Sequence, residues 1–448
     1  MIKEESNLFY QSKQPRPMLD YAKGIYLYDV HGKKYLDGCS GAMVSNIGHS
    51  NQNVLAAMNE QMQKATFAYR LHFQNEAAEN LAKMTADLMP DGLDRVFFVS
   101  GGSEAVESCI KLARQYALTQ NETKKWKVIS RFPSYHGCSL GALAITGSNT
   151  LAKPFEDMME VMPKIAAPTC YLDNDNLSDE ERGLKYANLL EDEILKQGAD
   201  TVLAFIMEPV GGASTGALVA PDSYYKRIRE ICDEYGIILI YDEVMTGAGR
   251  TGKFVASEHW DIIPDIVALS KGFAAGYAPL GAMVAKRNIV DAILDSGGFL
   301  HGFTYAGNPL ACSAGLAVLK EIQKEKLIDN AENMGNILKK ELTKLMDRYE
   351  FIGDVRGKGL LLAFELVSNR KTMEVLPKEL NAYSVLVELA YQRGLIIYSR
   401  RTRGGLKGDH FLICPPLTID LSGIHEIICI LKESLDAMAI QMNLGVNK

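Results

Sequence analysis

Short apolar runs recur through the centre of the chain, each set off from the next by a stretch of helical spacing. Arg95–Val99 (RVFFV), Val202–Met207 (VLAFIM), Ile237–Tyr241 (IILIY), Ile266–Leu269 (IVAL) and Gly281–Ala285 (GAMVA) read as strands. Ser103–Ala117 and Ser223–Tyr235 read as helices between them. A strand covered on both faces loses the apolar–polar alternation of a half-exposed one. Continuous apolar runs alternating with helices therefore predict an α/β domain with a mostly parallel central sheet. The two ends read differently. Residues 24–37 (GIYLYDVHGKKYLD) carry two alternating runs about His31-Gly32-Lys33, a hairpin pattern, and Asn51–Ala65 follows with helical spacing. After about Asn308 come helical stretches at Leu310–Gln323, Asn330–Asp347 and Leu421–Met442. Strand-like stretches lie at Leu360–Leu366, Leu395–Tyr398 and Phe411–Cys414. That mixture predicts a smaller α+β domain. The expected organisation is a segment 1–65 packing with the small domain, a large domain 66–325 and a small domain 326–448. No internal repeat is visible.

A length of 448 residues suits roughly three domains, or two with one enlarged. Hydrophobic residues at 47% and charged residues at 23% are those of a globular chain, not a disordered one. With 48 Lys plus Arg against 55 Asp plus Glu, the formal charge is −7. That balance argues against a broad basic face, so neither nucleic acid nor an anionic membrane surface is an expected partner. The eight cysteines are scattered and form no C-x-x-C pair, which speaks against a zinc or disulfide framework and for a reducing compartment. Met1–Lys13 has no apolar core and no small-residue cleavage site. The charge-free stretch Gly302–Leu319 holds Asn308, Pro309 and several glycines, which suits no membrane span. A cytoplasmic location is expected.

In an open parallel sheet, ligands bind beyond the carboxyl ends of the strands. There the sequence places Ser100-Gly101-Gly102-Ser103-Glu104, Glu208-Pro209, Asp242-Glu243-Val244 and Ser270-Lys271-Gly272. Glycines at a strand-to-helix turn let a ligand approach the backbone, and the first helical N–H groups make a phosphate cup. The same turn could equally be a plain N-cap by Ser103. Lys271 could be a desolvated amine used as a nucleophile or a side chain snorkelling from the strand end. Asp242 could cap structure or pair with a protonated ring nitrogen. Taken together, a phosphate cup, an aspartate and a lysine are the three fixed points that pyridoxal phosphate needs. Other motifs carry less. Gly247-Ala248-Gly249-Arg250-Thr251-Gly252 fits G-x-G-x-x-G, but Pro264 cuts short the helix a dinucleotide site requires. Phe254 stands where a P-loop needs Ser or Thr, so a nucleotide-binding protein is the weakest reading. No metal cluster is evident, and His425-Glu426 lacks the second histidine of a zincin.

The chain resembles the class III aminotransferases of fold type I over nearly its whole length. The motifs are Asn46-Ile47-Gly48-His49, Ser103-Glu104-Ala105, Tyr135-His136-Gly137, Glu208-Pro209, Asp242-Glu243-Val244, Gly249-Arg250-Thr251-Gly252, Ser270-Lys271-Gly272, Thr304–Pro309 and Pro415-Pro416-Leu417. The resemblance implies pyridoxal 5′-phosphate as cofactor, held as an imine by Lys271, which also shuttles the proton. It implies Asp242 at the ring nitrogen, Val244 under the ring, Tyr135 on its other face with His136 beside it, and phosphate donors at Gly102 and Ser103. Glu208 is placed among the cofactor-contacting residues. Thr304 resembles a residue that reaches the phosphate in a neighbouring subunit, which implies a homodimer with shared sites, or a tetramer built from it.

Relatives that use ornithine or aminobutyrate carry an arginine shortly before the Pro-Pro pair, as a clamp for the keto acid carboxylate. Here that place holds Leu412. The departure resembles the omega-amino acid and amine–pyruvate branch, where an arginine further upstream serves. Ser399–Lys407 offers Arg400 and Arg403 as candidates, and Met43 is expected near the pocket mouth. The expected activity moves an amino group from an omega-amino acid or amine to a keto acid, pyruvate foremost. The alternative on the same fold is an amino acid racemase or epimerase.

Overall fold

The computed structural model describes residues 6–10 and 16–446, so most of the Met1–Lys13 stretch lies outside the described residues. The large sheet has seven strands: β1 (Leu93–Val99), β2 (Lys127–Phe132), β3 (Lys164–Ala166), β4 (Val202–Met207), β5 (Ile238–Asp242), β6 (Ile266–Leu269) and β7 (Gly281–Lys286). Their spatial order is β1-β7-β6-β5-β4-β2-β3. The pairs from β6 through β5, β4 and β2 to β3 are parallel. β7 alone is reversed, antiparallel to both β1 and β6. All six other strands consequently end on one edge. β4 and β6 are buried along their whole length, which is why they read as unbroken apolar runs. Each of Leu203, Phe205 and Ile206 leaves water completely or nearly so, worth roughly 1.5–3 kcal/mol apiece.

Helices cover both faces. Gly102–Thr119 buries Ala105, Val106, Cys109, Leu112, Ala113 and Ala117, a single stripe at three- and four-residue spacing. That stripe packs on Ile240, Ile266, Ala268 and Met283. On the other face of β4, the helix Asp179–Gln197 starts at Ser178, whose side chain and that of Glu181 cap each other's backbone N–H. It buries Ala187, Leu190 and Ile194 against Phe205, Met207 and Leu239.

Two smaller sheets join the chain's ends. Leu19–Lys23, Tyr26–Asp29 and Lys34–Asp37 form an antiparallel meander, and Leu395–Ile396 adds to its edge in parallel. Ile352–Lys358, Leu361–Leu366, Asp409–Ile413 and Tyr398–Arg400 make an antiparallel sheet in that order. The stretch Leu395–Tyr398, expected as one strand, is thus two. The break falls at Ile397, and each half serves a different sheet. Among the described residues no helix is long and apolar enough to cross a membrane. All eight cysteines are unpaired.

Candidate active site

The edge where β1, β2, β4, β5 and β6 end encloses a cavity of about 160 Å³. Its lining includes Gly102, Ser103, Tyr135, His136, Glu208, Asp242, Val244 and Lys271. It also includes Gly137, together with Val210 and Met245, two residues the sequence reading did not single out. Tyr135 and His136 follow β2, a strand that reading missed.

At the start of the helix Gly102–Thr119, Gly101 is fully extended and no side chain caps the first N–H groups. Those donors stay unpaired, with the positive end of the helix dipole behind them. A Cβ on Gly102 would stand 3.0 Å from Val244 Cγ1, so a larger residue would crowd the same wall. Ser103 Oγ accepts the Cys138 N–H at 3.1 Å, which fixes the turn after Gly137 against this helix start.

Asp242 closes β5. Its Oδ1 accepts the Val244 N–H at 3.1 Å, and its Oδ2 accepts from His136 Nδ1 at 2.9 Å. The carboxylate is thereby oriented from two sides. His136 Nε2 is buried without a partner. Glu243 turns the other way. It accepts the Ala256 and Ser257 N–H groups at 2.9 Å, and burial pushes its carboxyl up to about 7. Of the two adjacent carboxylates, only Asp242 faces the cavity.

Glu208 ends β4. Its Oε1 accepts the Gly212 N–H at 3.0 Å, and the Tyr135 N–H approaches Oε2 at 3.4 Å. Burial raises its carboxyl, opposed by His136 and by Arg131 behind it. Lys271 follows β6 by two residues and has φ of +47°, a left-handed conformation that costs a side-chain-bearing residue about 1–3 kcal/mol. Backbone bonds hold the turn: Phe273 N–H to Ser270 O at 2.9 Å and Ala275 N–H to Lys271 O at 2.9 Å. Burial lowers the Lys271 ammonium below the ordinary lysine range, although Asp242 and Glu208 pull the other way.

Several expected residues lie elsewhere. Met43 does not line the cavity. It is 2% exposed and packs in an apolar cluster with Val210, Leu361 and Leu412. Arg403 does not reach the site either, because its Nη2 donates to Met373 O at 2.6 Å beside a separate surface groove. Arg400 sits 4.5 Å over the Tyr398 ring, and Tyr398 packs against the cluster that holds Met43 and Val210. Thr304 is exposed in the segment before Pro309 and lies outside its own chain's cavity.

The donor set suits a phosphorylated pyridine aldehyde. An uncapped helix start would suit an anion, a doubly anchored carboxylate a protonated nitrogen, and a desolvated amine a carbonyl.

Comparison with known proteins agrees. Residues 10–435 match the aminotransferase class-III family. A putrescine–pyruvate aminotransferase of Pseudomonas aeruginosa is 35% identical, covering 93% of this chain and 90% of its own. A leucine/methionine racemase of Thermococcus litoralis is 35% identical over 90% of this chain and 87% of its own. The crystal structure of a thermostable (S)-enantioselective omega-transaminase from Thermomicrobium roseum superposes with a TM-score of 0.91 at 34% identity, covering 97% of this chain and 96% of that one. The chain belongs to the class III aminotransferases, pyridoxal-phosphate-dependent enzymes of fold type I.

Proposed function

We propose that this enzyme transfers an amino group from an omega-amino acid or amine to pyruvate, working as a homodimer with shared sites. One observation carries the acceptor choice. Val210, which lines the cavity with Glu208, is backed by an apolar cluster that includes Met43 and Leu412, and Leu412 is buried where relatives that use ornithine or aminobutyrate are expected to carry an arginine. A dicarboxylate would leave its second charge against that wall, whereas pyruvate needs one cation at the rim. Arg400 suits that role better than Arg403. Its hydrogen bond is a single 3.2 Å contact to Ser399 O, and no carboxylate engages it among the described residues.

Bound pyridoxal phosphate supplies an electrophilic aldehyde and a cationic ring that accepts electrons. Lys271 Nζ would hold that aldehyde at rest and release it to the donor amine. Its lowered pKa then favours the neutral form, which lifts the proton from the donor's amine-bearing carbon. Asp242, fixed by His136 and the Val244 N–H, keeps the ring nitrogen protonated. The N–H groups at Gly102 and Ser103 would hold the phosphate. Tyr135, 40% exposed, and Val244 both line the cavity and would pack against the ring, with Tyr135 excluding water.

The dimer reading draws on an exposed apolar patch. Leu71, Phe73, Leu300 and Tyr305 are 63–87% exposed on two segments tied together by Arg70 Nη1 donating to Phe303 O at 3.1 Å. A patch of that kind suits association, and Thr304 lies within it. The free cysteines suit a cytoplasmic location.

The test is a panel of diamines, omega-amino acids and arylalkyl amines against pyruvate and 2-oxoglutarate, with an enantiomer-interconversion assay lacking any keto acid. Amino transfer to pyruvate supports the proposal. Transfer to 2-oxoglutarate alone, or interconversion of enantiomers without acceptor, contradicts it.

A further inference from the structure

Four motifs far apart in the sequence meet beneath Lys271, and the chemistry described so far uses none of them except the lysine. Arg250, from Gly249-Arg250-Thr251-Gly252, is fully buried. It makes no ion pair among the described residues. Its Nη2 donates to Asn46 Oδ1 at 2.7 Å and to Ser40 Oγ at 3.1 Å. Its Nη1 donates to the carbonyls of Pro415 and Leu360. Asn46 in turn donates from Nδ2 to Ala248 O at 3.0 Å and accepts the Leu417 N–H on its backbone oxygen at 2.7 Å. Its carboxamide is therefore oriented at both ends, at Oδ1 by Arg250 and at Nδ2 by Ala248 O. The same carboxamide lies against Gly272, where a Cβ would stand 2.1 Å from Asn46 Nδ2.

We propose that Asn46, gripped by Arg250, is a positioning residue that holds the Lys271–Gly272 turn in its left-handed form and so aims the Lys271 amine. The inference deepens the role proposed above for Lys271 and rests on it. Left-handed backbone at a lysine relaxes toward the common regions unless its surroundings over-determine it. The hydrogen bonds from Phe273 and Ala275 hold the turn from one side, and the Asn46 carboxamide closes the other. The clasp consists of neutral acceptors around one guanidinium. A carboxylate in the place of Asn46 would favour the protonated lysine, whereas a neutral amide fixes geometry without that effect. Gly272 is required by the close approach itself.

The test uses holoenzyme variants and reads three quantities: the pH midpoint of the visible band of the Lys271-linked cofactor, kcat against KM, and the melting temperature. Asn46→Ala is expected to move the midpoint by about half a pH unit or more and to lower kcat roughly tenfold, with both KM values within about twofold. Asn46→Asp, which preserves shape, is expected to move the midpoint upward. Gly272→Ala, which pushes the carboxamide away, is expected to reproduce the Asn46→Ala effect. A lower melting temperature in Asn46→Ala with an unchanged midpoint and unchanged kcat would reduce the clasp to a structural tie and overturn the proposal. Arg250→Lys should act in the same direction, and if it fails to fold, the Asn46 pair decides. A wild-type protein without any Lys271-linked band would instead refute the assignment of Lys271, which separates the two failures.

Discussion

The floor of the site and its rim are built on different principles. Every floor residue follows a strand of the large sheet. Gly102 and Ser103 follow β1, Tyr135 and His136 follow β2, Glu208 follows β4, Asp242 closes β5 and Lys271 follows β6. Packing fixes the strands, and hydrogen bonds from neighbouring elements fix the polar groups Asp242 and Glu208. The rim candidates come from loops and from the smaller sheets. Arg400 rests on Tyr398, Arg403 is committed to Met373, and Thr304 faces outward. On the reading proposed above, chemistry that needs fixed atoms would sit on the core, and selection among substrates would fall to the periphery.

If that division holds, floor substitutions should cost rate and rim substitutions should cost affinity. The largest effect is expected from Lys271→Ala, a loss of turnover on the order of 10⁴-fold or more with the fold kept, read by steady-state rate and circular dichroism. Next is Asp242→Asn, expected to slow single-turnover amino transfer by about 10²–10³-fold. An unchanged single-turnover rate would remove Asp242 from the electronic role.

How much of this was legible beforehand follows the same division. The runs at β4, β5 and β6 pointed to the floor because a strand buried on both faces advertises itself as continuous apolar sequence. β2 (KVISRF) did not, because Ser130 and Arg131 break its run. Both are buried, and Arg131 donates to the Glu208 carbonyl, so tertiary contacts override the pattern. The choice between Arg400 and Arg403 turns on the path of a loop. Gly404 and Gly405 carry positive φ and pack against Phe132, Asn149 and Thr150, contacts from a segment more than two hundred residues away. Met43 is buried in a cluster with residues from four other segments, around Val210, Ala256, Leu361 and Leu412, and no local pattern announces that.

The support beneath the rim gives the next largest effect. Burial and the nearby Arg356 push His410 down to about 3, and its Nδ1 pairs with Thr402 Oγ1 at 3.0 Å. The unfolded chain accepts a proton near pH 6.5 that the folded chain refuses. Stability is therefore fully present above that pH and is lost as pH falls. The loss from this residue is about 2 kcal/mol by pH 5, and urea unfolding at pH 7.5 and 5 should show it. His410→Gln should flatten that slope, and an equally steep slope in the variant would assign it to other groups. The smallest effects separate the two arginines. Arg400→Ala is expected to raise KM for pyruvate roughly tenfold with kcat little changed, as for loss of one charged contact. Arg403→Ala should leave both within about twofold. The reverse pattern would place the clamp at Arg403 and break the rim assignment.

The most direct test of the whole account is borohydride reduction of the purified holoenzyme followed by peptide mapping. The account predicts bleaching of the visible band and a single stable adduct on Lys271. Lys164 is the informative control, because burial also lowers its ammonium, to about 8, while its Nζ donates to Ala144 O and Met162 O. An adduct on Lys164 or any other lysine, or a band that reduction leaves untouched, would contradict it.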